Sequence, residues 1–161
     1  MELTSIDYAR LIEYAAQKLH LTMLNRTQVH KILFYVYGVY LAEHSSPLFT
    51  DDQPKAWPYG PVFPRVNKWL QNQPDELIKI SSEMAKEYSK DQDALNIVKE
   101  AVDAFYDKSA IALTTWSHQE GSPWFRTLYD GQEEGKQAPW NSVIKDELIK
   151  EYFSNPNNRI G

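Results

Sequence analysis

The chain of 161 residues contains no cysteine. This absence excludes disulfides, thiolate metal sites, iron–sulfur clusters and thiol nucleophiles, and it favours the reducing cytoplasm as the compartment. Positive charge is also in deficit, because 17 Lys and Arg stand against 22 Asp and Glu, which gives a net charge of −5. Binding of nucleic acid or anionic lipid depends on an excess of Lys and Arg. The charge balance therefore argues against both and makes a basic partner more natural.

Long apolar runs are missing as well. No stretch approaches the roughly 20 apolar residues of a membrane helix, and the longest candidate, residues 32–42, is short and rich in tyrosine. The first residues lack the basic segment and the apolar run of a secretory signal. We therefore expect a soluble, cytoplasmic protein without a membrane partner.

Sequence signatures of catalysis and phosphate binding are absent too. There is no HExxH, P-loop, GxGxxG or GxSxG pattern, and the four histidines show no paired spacing. A metal site without cysteine would need carboxylates that the fold brings together. These patterns predict neither a metal nor another cofactor, and they do not support phosphate binding by a glycine loop or nucleophilic hydrolysis.

Aromatic residues, in contrast, are abundant. Five Trp, ten Tyr and six Phe make up 13% of the chain. A small core needs fewer rings than this, so we expect part of the aromatic content to serve a contact surface.

The apolar spacing of the first quarter of the chain is helical. It predicts an amphipathic helix over residues 8–19. Asn25 and Gln28 have the spacing of a capping box for a second helix over residues 25–43, which is apolar nearly all round beyond Ile32. A helix with so little polar surface is normally enclosed by other elements. We therefore predict that this is the central helix of the fold.

The next segment is dominated by proline and aromatic residues. Their density over residues 48–64 forbids an ordinary helix and predicts an ordered, extended segment. Pro61 and Pro64 are both expected in the first turn of the following helix. Residues 75–81 are the candidate for a small strand that pairs near Ala56.

Helical signals return in the second half of the chain. After a polar stretch at 82–90, apolar spacing predicts a helix over residues 95–105. Ser109 and Ser122 are expected to cap two shorter helices, and Asn141 is expected to start the last amphipathic helix.

The predicted fold is therefore mainly α. We expect a compact, multi-helix single domain over residues 1–161 around a buried central helix, with its core at about 6–153 and a polar tail at 154–161. The extended insertion rich in proline and aromatics is part of this fold. A short β-hairpin is a further candidate element.

Two short motifs are candidates for function, and the first is Ala-Trp-Pro-Tyr-Gly-Pro-Val at residues 56–62. Gly60 and Pro61 force a turn, and Trp57 and Tyr59 lie two residues apart, so on an extended chain they project to the same side. One interpretation is that both rings fill the core where the insertion folds back on the central helix. The other is that one or both form a partner-binding surface.

The second motif runs from Trp116 to Trp124. Its His118 and Glu120 could serve as an acid–base pair in a small-ligand enzyme, whereas a histidine in such a place more often fixes a turn. Trp124 follows a helix-starting proline and is expected to be a packing anchor. Lys31 on the central helix is expected to keep its ammonium group in water; if buried, it would need a carboxylate partner.

Taken in order, these motifs resemble the Panacea domain family, the SocA-like antitoxins, which also includes phage-associated GepA-like proteins. The resemblance covers residues 6–153 and rests on Lys31-Ile32-Leu33-Phe34-Tyr35, Pro47-Leu48-Phe49, residues 56–62 with Pro64, Trp116-Ser117-His118-Gln119-Glu120 and Pro123-Trp124. Ser117-His118 replaces the family's usual Thr-His pair, and Phe34-Tyr35 replaces Leu-Tyr. The residues that match the family's motifs, and that we take as candidates for partner binding, are Lys31, Tyr35, Trp57, Tyr59, Gly60, Pro61, Val62, His118, Glu120 and Trp124.

The resemblance implies an antitoxin of a two-gene toxin–antitoxin system, often borne by a phage or mobile element. Such a protein is not an enzyme and neutralises a protein toxin, encoded next to it, by direct contact. Direct binding of nucleic acid is not expected, because no separate segment is left for it. The alternatives are a phage or host adaptor without a toxin and, less favoured, the enzyme that uses His118 and Glu120.

Overall fold

The fold is arranged around one central helix, as the sequence predicts. The computed structural model describes residues 2–159, of which most are helical. The helices are α1 (Ser5–His20), α2 (Arg26–His44), α3 (Pro64–Gln71), α4 (Ser82–Ser89), α5 (Gln92–Phe105), α6 (Ala110–Ser117), α7 (Pro123–Tyr129) and α8 (Asp146–Ser154), followed by a 3₁₀ turn at Pro156–Asn158. Three short strands complete the fold: β1 (Lys55–Trp57), β2 (Gly60–Val62) and β3 (Ser142–Val143). The prediction of a mainly α fold is confirmed.

Helix α2 is buried along nearly its whole length and contacts α1, α3, α5, α6, α8 and β2. Its capping box forms as predicted, since the Asn25 side chain accepts from the Gln28 amide and the Gln28 side chain accepts from the Asn25 amide, both at 2.9 Å. The Gln28 amide group also donates to the carbonyls of Tyr106 at 2.8 Å and Lys108 at 3.2 Å. The start of α2 is thereby attached to the end of α5.

The closest approach to α2 comes from α8. Phe153 lies directly over Gly38, where a Cβ atom would stand 2.9 Å from the Phe153 Cγ and nearer still to two other ring carbons. The same ring makes edge contacts with Phe34 and Tyr35, at centroid distances of 5.9 and 5.7 Å. Glycine at position 38 therefore allows the two helices to meet with an aromatic ring between them.

The three strands form one antiparallel sheet in the order β2-β1-β3. β1 and β2 form a hairpin in which Trp57 pairs with Gly60, and on the other side of β1 Ala56 pairs with Ser142 of β3. The prediction that residues 75–81 pair near Ala56 is therefore wrong, because this place is taken by β3. Residues 75–81 form no strand and instead attach to α1, where the Ile78 amide donates to the Gln17 side chain at 2.9 Å.

Three predicted boundaries need correction. Pro61 does not belong to the first turn of a helix but lies in β2, where the hairpin register requires extended backbone; β2 is an edge strand, where proline is tolerated. Only Pro64 starts α3. The polar stretch at 82–90 contains α4, capped by Ser81. The last helix starts at Asp146, because Asn141 adopts a left-handed backbone and leads into β3.

Two neighbouring carboxylates order the segment between α2 and β1. Asp51 accepts from the Ser5 amide and hydroxyl, both at 2.8 Å, at the start of α1. Asp52 accepts from the Arg65 amide at 2.8 Å in the first turn of α3. Both helix starts are thus satisfied by side chains from the segment between α2 and β1, which explains why this segment is ordered although it forms no strand.

Part of the predicted polar tail also packs on the fold. The Arg159 guanidinium donates to the Phe153 carbonyl at 2.7 Å and to the Glu43 carboxylate at 3.0 Å. Residues 160–161 lie outside the described part of the chain. Within residues 2–159, no helix is both long and apolar enough to cross a membrane.

The contact at Gly38 makes a first prediction. Gly38→Ala places a methyl group inside the Phe153 ring, so we expect the free energy of unfolding to fall by about 1 to 3 kcal/mol, measured by urea denaturation. The double variant Gly38→Ala, Phe153→Leu should lose less than the sum of the two single losses, because leucine vacates part of that space. An unchanged stability of Gly38→Ala would show that α2 and α8 are not this close.

Candidate functional site

The hairpin between β1 and β2 presents the aromatic pair of the first motif. The chain turns at Pro58 and Tyr59, so the two rings do not share one face of an extended strand. The Tyr59 side chain is 77% exposed, whereas Trp57 is half-buried and its indole donates to the Asn141 side chain at 2.9 Å. Tyr59 therefore lies on the surface and does not fill the core.

Directly beneath this turn lies Lys31 of α2. Lys31 is only 2% exposed, and its ammonium group donates a hydrogen bond to the backbone carbonyl of Tyr59. No carboxylate pairs with it within residues 2–159. Both sequence expectations, a solvated ammonium or a carboxylate partner, are therefore wrong. Burial without a counter-charge disfavours the protonated form and lowers the pKa of Lys31 from 10.5 to about 8.

Glycine at position 60 is required by the same contact. Gly60 has φ +121, and a Cβ atom there would collide with the Lys31 Nζ and stand 2.7 Å from the Ser117 Oγ. Ser117 ends α6 and is buried; its hydroxyl donates to the Thr114 carbonyl at 3.1 Å. The turn, α2 and α6 thus meet at one point where only a hydrogen atom fits.

Trp124 and His118 support the hairpin from the side of α7. Trp124 is 5% exposed and its indole donates to the Trp57 carbonyl at 2.7 Å. The His118 ring stacks on Trp124, with centroids 3.7 Å apart and planes 3° from parallel. Burial lowers the pKa of His118, and the positive charge of Lys31 lowers it further. Interaction with the Tyr59 backbone raises this pKa and so offsets part of the effect. Trp124 is thus a packing anchor that holds the end of β1.

The proposed acid–base pair is not assembled. Glu120 is exposed, and its carboxylate makes no hydrogen bond or ion pair with His118 in the described structure. The buried His118 Nε2 has no hydrogen-bond partner there either. Among residues 2–159, no group of three or more His, Asp or Glu could hold a metal ion.

The other motif residues are part of the protein interior. The ring of Tyr35 packs edge-on against that of Phe105, with the ring centroids 5.3 Å apart. Pro61 and Val62 are buried in β2, where they line one wall of a groove beside the hairpin. The structure therefore brings Lys31, Trp57, Tyr59, Gly60, His118 and Trp124 together, and it leaves Tyr35 in the core and Glu120 in solvent.

The groove beside the hairpin adds residues that the sequence analysis missed. It has a volume of about 450 Å³ and runs between the start of α2, the hairpin and α3. Arg26 and His30 lie one helical turn apart on α2, and both contact the Asn67 Oδ1, at 2.9 and 3.4 Å. The i, i+4 spacing of Arg26 and His30 was the signal available in the sequence.

The electrostatics of the groove are unusual for an acidic chain. Burial lowers the pKa of His30 to about 4, so its ring is neutral at pH 7. Its Nδ1 accepts from the Phe63 amide at 3.4 Å, which leaves Nε2 to donate to Asn67. The charged side chains that line the groove are Arg26 and Lys31, and no Asp or Glu lines it.

A second, more apolar groove of about 260 Å³ lies between α1, α4 and α5. It contains Tyr14, Leu19 and Leu95 and has lysines at its edge, and none of the motif residues lines it. We therefore place the candidate site at the hairpin.

Comparison with known protein families identifies the class of domain to which the chain belongs. A family model described as antitoxin SocA-like, Panacea domain, matches residues 29–125. This is more than half of the chain, and the chain belongs to the SocA-like, Panacea-domain family. No curated protein and no solved structure matches the chain.

The matched range contains the whole candidate site apart from part of the groove. It starts at Val29, two residues before Lys31, and ends at Phe125, directly after Trp124. α1, Arg26, β3 and α8 lie outside it. The matched range thus includes the hairpin, the segment of α2 beneath it, and the two residues that support the hairpin from the side, His118 and Trp124.

The crowding at Gly60 makes a second prediction. Gly60→Ala combines an unfavourable φ with a collision against Lys31, so we expect a loss of about 2 to 4 kcal/mol in the free energy of unfolding. Gly121→Ala is the matched control, because Gly121 also has positive φ, +90, but its Cβ would meet nothing within 4 Å. The control should lose only about 1 kcal/mol. Equal losses in urea denaturation would contradict the tight packing described here.

The lowered pKa of Lys31 makes a third prediction. Between about pH 8 and 10 the unfolded chain keeps this proton while the folded protein releases it, so this group makes stability rise with pH. In Lys31→Met the group is absent, whereas the other titrating groups remain. From about pH 7 to pH 9.5, the wild-type free energy of unfolding should gain about 2 kcal/mol relative to Lys31→Met. Parallel pH profiles in urea denaturation would show that Lys31 is solvated.

Proposed function

We propose that this protein is an antitoxin that neutralises a cognate protein toxin by direct contact, with the β1–β2 turn as part of the contact surface. Membership of the SocA-like, Panacea-domain family supports the antitoxin role. The observation that carries the proposed surface is the position of Tyr59, which is 77% exposed while its carbonyl is held by the buried Lys31.

Such an arrangement suits protein binding. An exposed ring on a backbone that is already fixed offers contact area with little further loss of entropy when a partner binds. Trp57 extends this area, since it is half-buried at the start of the turn. Lys31, Gly60, His118 and Trp124 act from beneath as positioning residues, because they hold the turn and are themselves largely covered by it.

The proposed biological setting follows from the family. The toxin is a protein encoded next to this chain, the gene pair is carried by a phage or another mobile element, and neutralisation takes place in the cytoplasm. The protein needs no cofactor in this role and carries out no reaction. Nucleic acid is not a direct partner of the negatively charged chain, which has a formal net charge of −5.

A co-expression assay tests this proposal. The adjacent reading frame is induced in a host cell alone and together with this chain, and growth is measured. We expect growth arrest with the neighbour alone and recovery with both. A harmless neighbour, or one that stays toxic in the presence of this chain, would contradict the antitoxin role. In the first case, a stable complex with a host protein would instead support an adaptor.

The surface itself is tested by a fourth prediction. Tyr59→Ser removes the exposed ring but keeps the carbonyl that Lys31 binds, so the fold should remain and affinity for the toxin should fall at least about tenfold. Leu21→Ser is the matched control, because Leu21 is 91% exposed at the far end of α1 and should be neutral. The measurement is calorimetric binding to the purified toxin. Equal affinities of the two variants would place the contact surface elsewhere.

A further inference from the structure

We propose that the groove beside the hairpin, formed by Arg26, Lys31, Asn67, Trp57 and Tyr59, binds an acidic segment of the partner protein, with a Glu or Asp side chain at Arg26 and a neighbouring apolar side chain on the aromatic wall. This inference rests on the proposed function and specifies the chemistry of the partner. It also reverses, for this one surface, the expectation from net charge that a basic partner is more natural.

Among the arginines of the described chain, Arg26 stands apart because it has no charged or aromatic partner. The described chain has five arginines, and three of them face carboxylates: Arg65 faces Asp51, Arg126 faces Asp130 and Glu151, and Arg159 faces Glu43. Arg10 lies over the ring of Trp69. Arg26 has neither kind of partner among residues 2–159. Its guanidinium donates to the neutral Asn67 side chain at 2.9 Å, and Glu13 and Asp75, which line a neighbouring groove with Arg26, form no ion pair with it.

The charge of Arg26 does not stabilise its own helix. Arg26 is the first residue of α2, where the helix dipole disfavours a positive side chain. Its guanidinium is exposed and carries five N–H donors, of which one is used on Asn67. The other four donors have no hydrogen-bond partner among residues 2–159, and a guanidinium offers its donors in the fork geometry that a carboxylate matches.

The residues that line the groove are cationic, neutral polar or apolar, and none is acidic. Lys31 adds a second positive charge that no carboxylate offsets, and His30 is neutral at pH 7 because burial lowers its pKa to about 4. Trp57, Tyr59 and Val62 also line the groove and supply its apolar surface. In a chain with 22 Asp and Glu, a groove lined by two cations and no acid is complementary to an acidic and apolar segment.

A peptide titration tests this inference without knowledge of the toxin. The probes are three tetrapeptides: acetyl-Glu-Leu-Glu-Phe-amide and two counterparts in which Gln or Lys replaces both Glu residues. Binding to the full chain is followed by amide and indole NMR shifts. We expect the acidic peptide to bind at least about fivefold more tightly than the neutral one, with shifts at residues 26–31, 57–62 and 67, and the basic peptide to bind most weakly.

Matched variants identify the residue responsible. Arg26→Gln should reduce the preference for the acidic peptide to about twofold or less, whereas Lys150→Gln, the same charge change at an exposed position of α8, should leave it unchanged. Thermal unfolding monitors the fold of both. Equal binding of all three peptides, no binding of any, or a preference that survives Arg26→Gln would overturn the inference. So would a thymidine tetranucleotide that binds as tightly as the acidic peptide.

The toxin assay separates this inference from the proposed function. If Tyr59→Ser abolishes neutralisation while Arg26→Glu does not, the contact surface is correct and the acidic partner segment is wrong. If both variants neutralise fully, the proposed surface is itself wrong. If both fail and Lys150→Glu does not, both proposals are supported.

Discussion

The ammonium group of Lys31 is buried on the central helix and bound to a backbone carbonyl where an ion pair would be expected. A buried charge of this kind lowers stability unless its hydrogen bonds are satisfied, so the position of the Tyr59 carbonyl is tightly constrained. Gly60 follows from this constraint, because any side chain there would occupy the space of the ammonium group. Burial lowers the pKa of His118, and the nearby positive charge of Lys31 lowers it further.

The candidate surface depends on the hydrogen bond from Lys31 to the Tyr59 carbonyl. A hairpin with strands of three residues is too short to be stable alone, and here it is held from three sides. Lys31 binds the turn, Trp124 binds the last carbonyl of β1, and β3 pairs along the other edge of β1. The ring of Tyr59 is consequently carried by a backbone with little freedom. This explains how one small element can both belong to the core and present an exposed aromatic ring.

The local features of the fold were predictable from the sequence, and the distant contacts were not. The capping box at Asn25 and Gln28 and the apolar character of α2 depend on neighbouring residues, so they could be recognised directly. The pairing of β1 with β3 joins residues 56 and 142, and nothing in the local pattern of either strand specifies it. The burial of Lys31 is of the same kind, because its hydrogen-bond acceptor lies 28 positions away and carries no side-chain signal. The aromatic excess was a mixed signal: Tyr35 and Phe153 pack in the core, and Tyr59 lies on the surface.

The central claim is that the buried Lys31 fixes the hairpin and thereby the Tyr59 surface. Native-state hydrogen exchange of the wild type and of Lys31→Met tests it most directly, because it reports the opening of each amide separately. We expect the amides of residues 55–62 to exchange at least about tenfold faster in the variant, while those of α2 and α5 remain protected. Unchanged protection of the hairpin would contradict the account. So would a uniform loss throughout the chain, because Lys31 would then contribute to stability as a whole and not to the position of the turn.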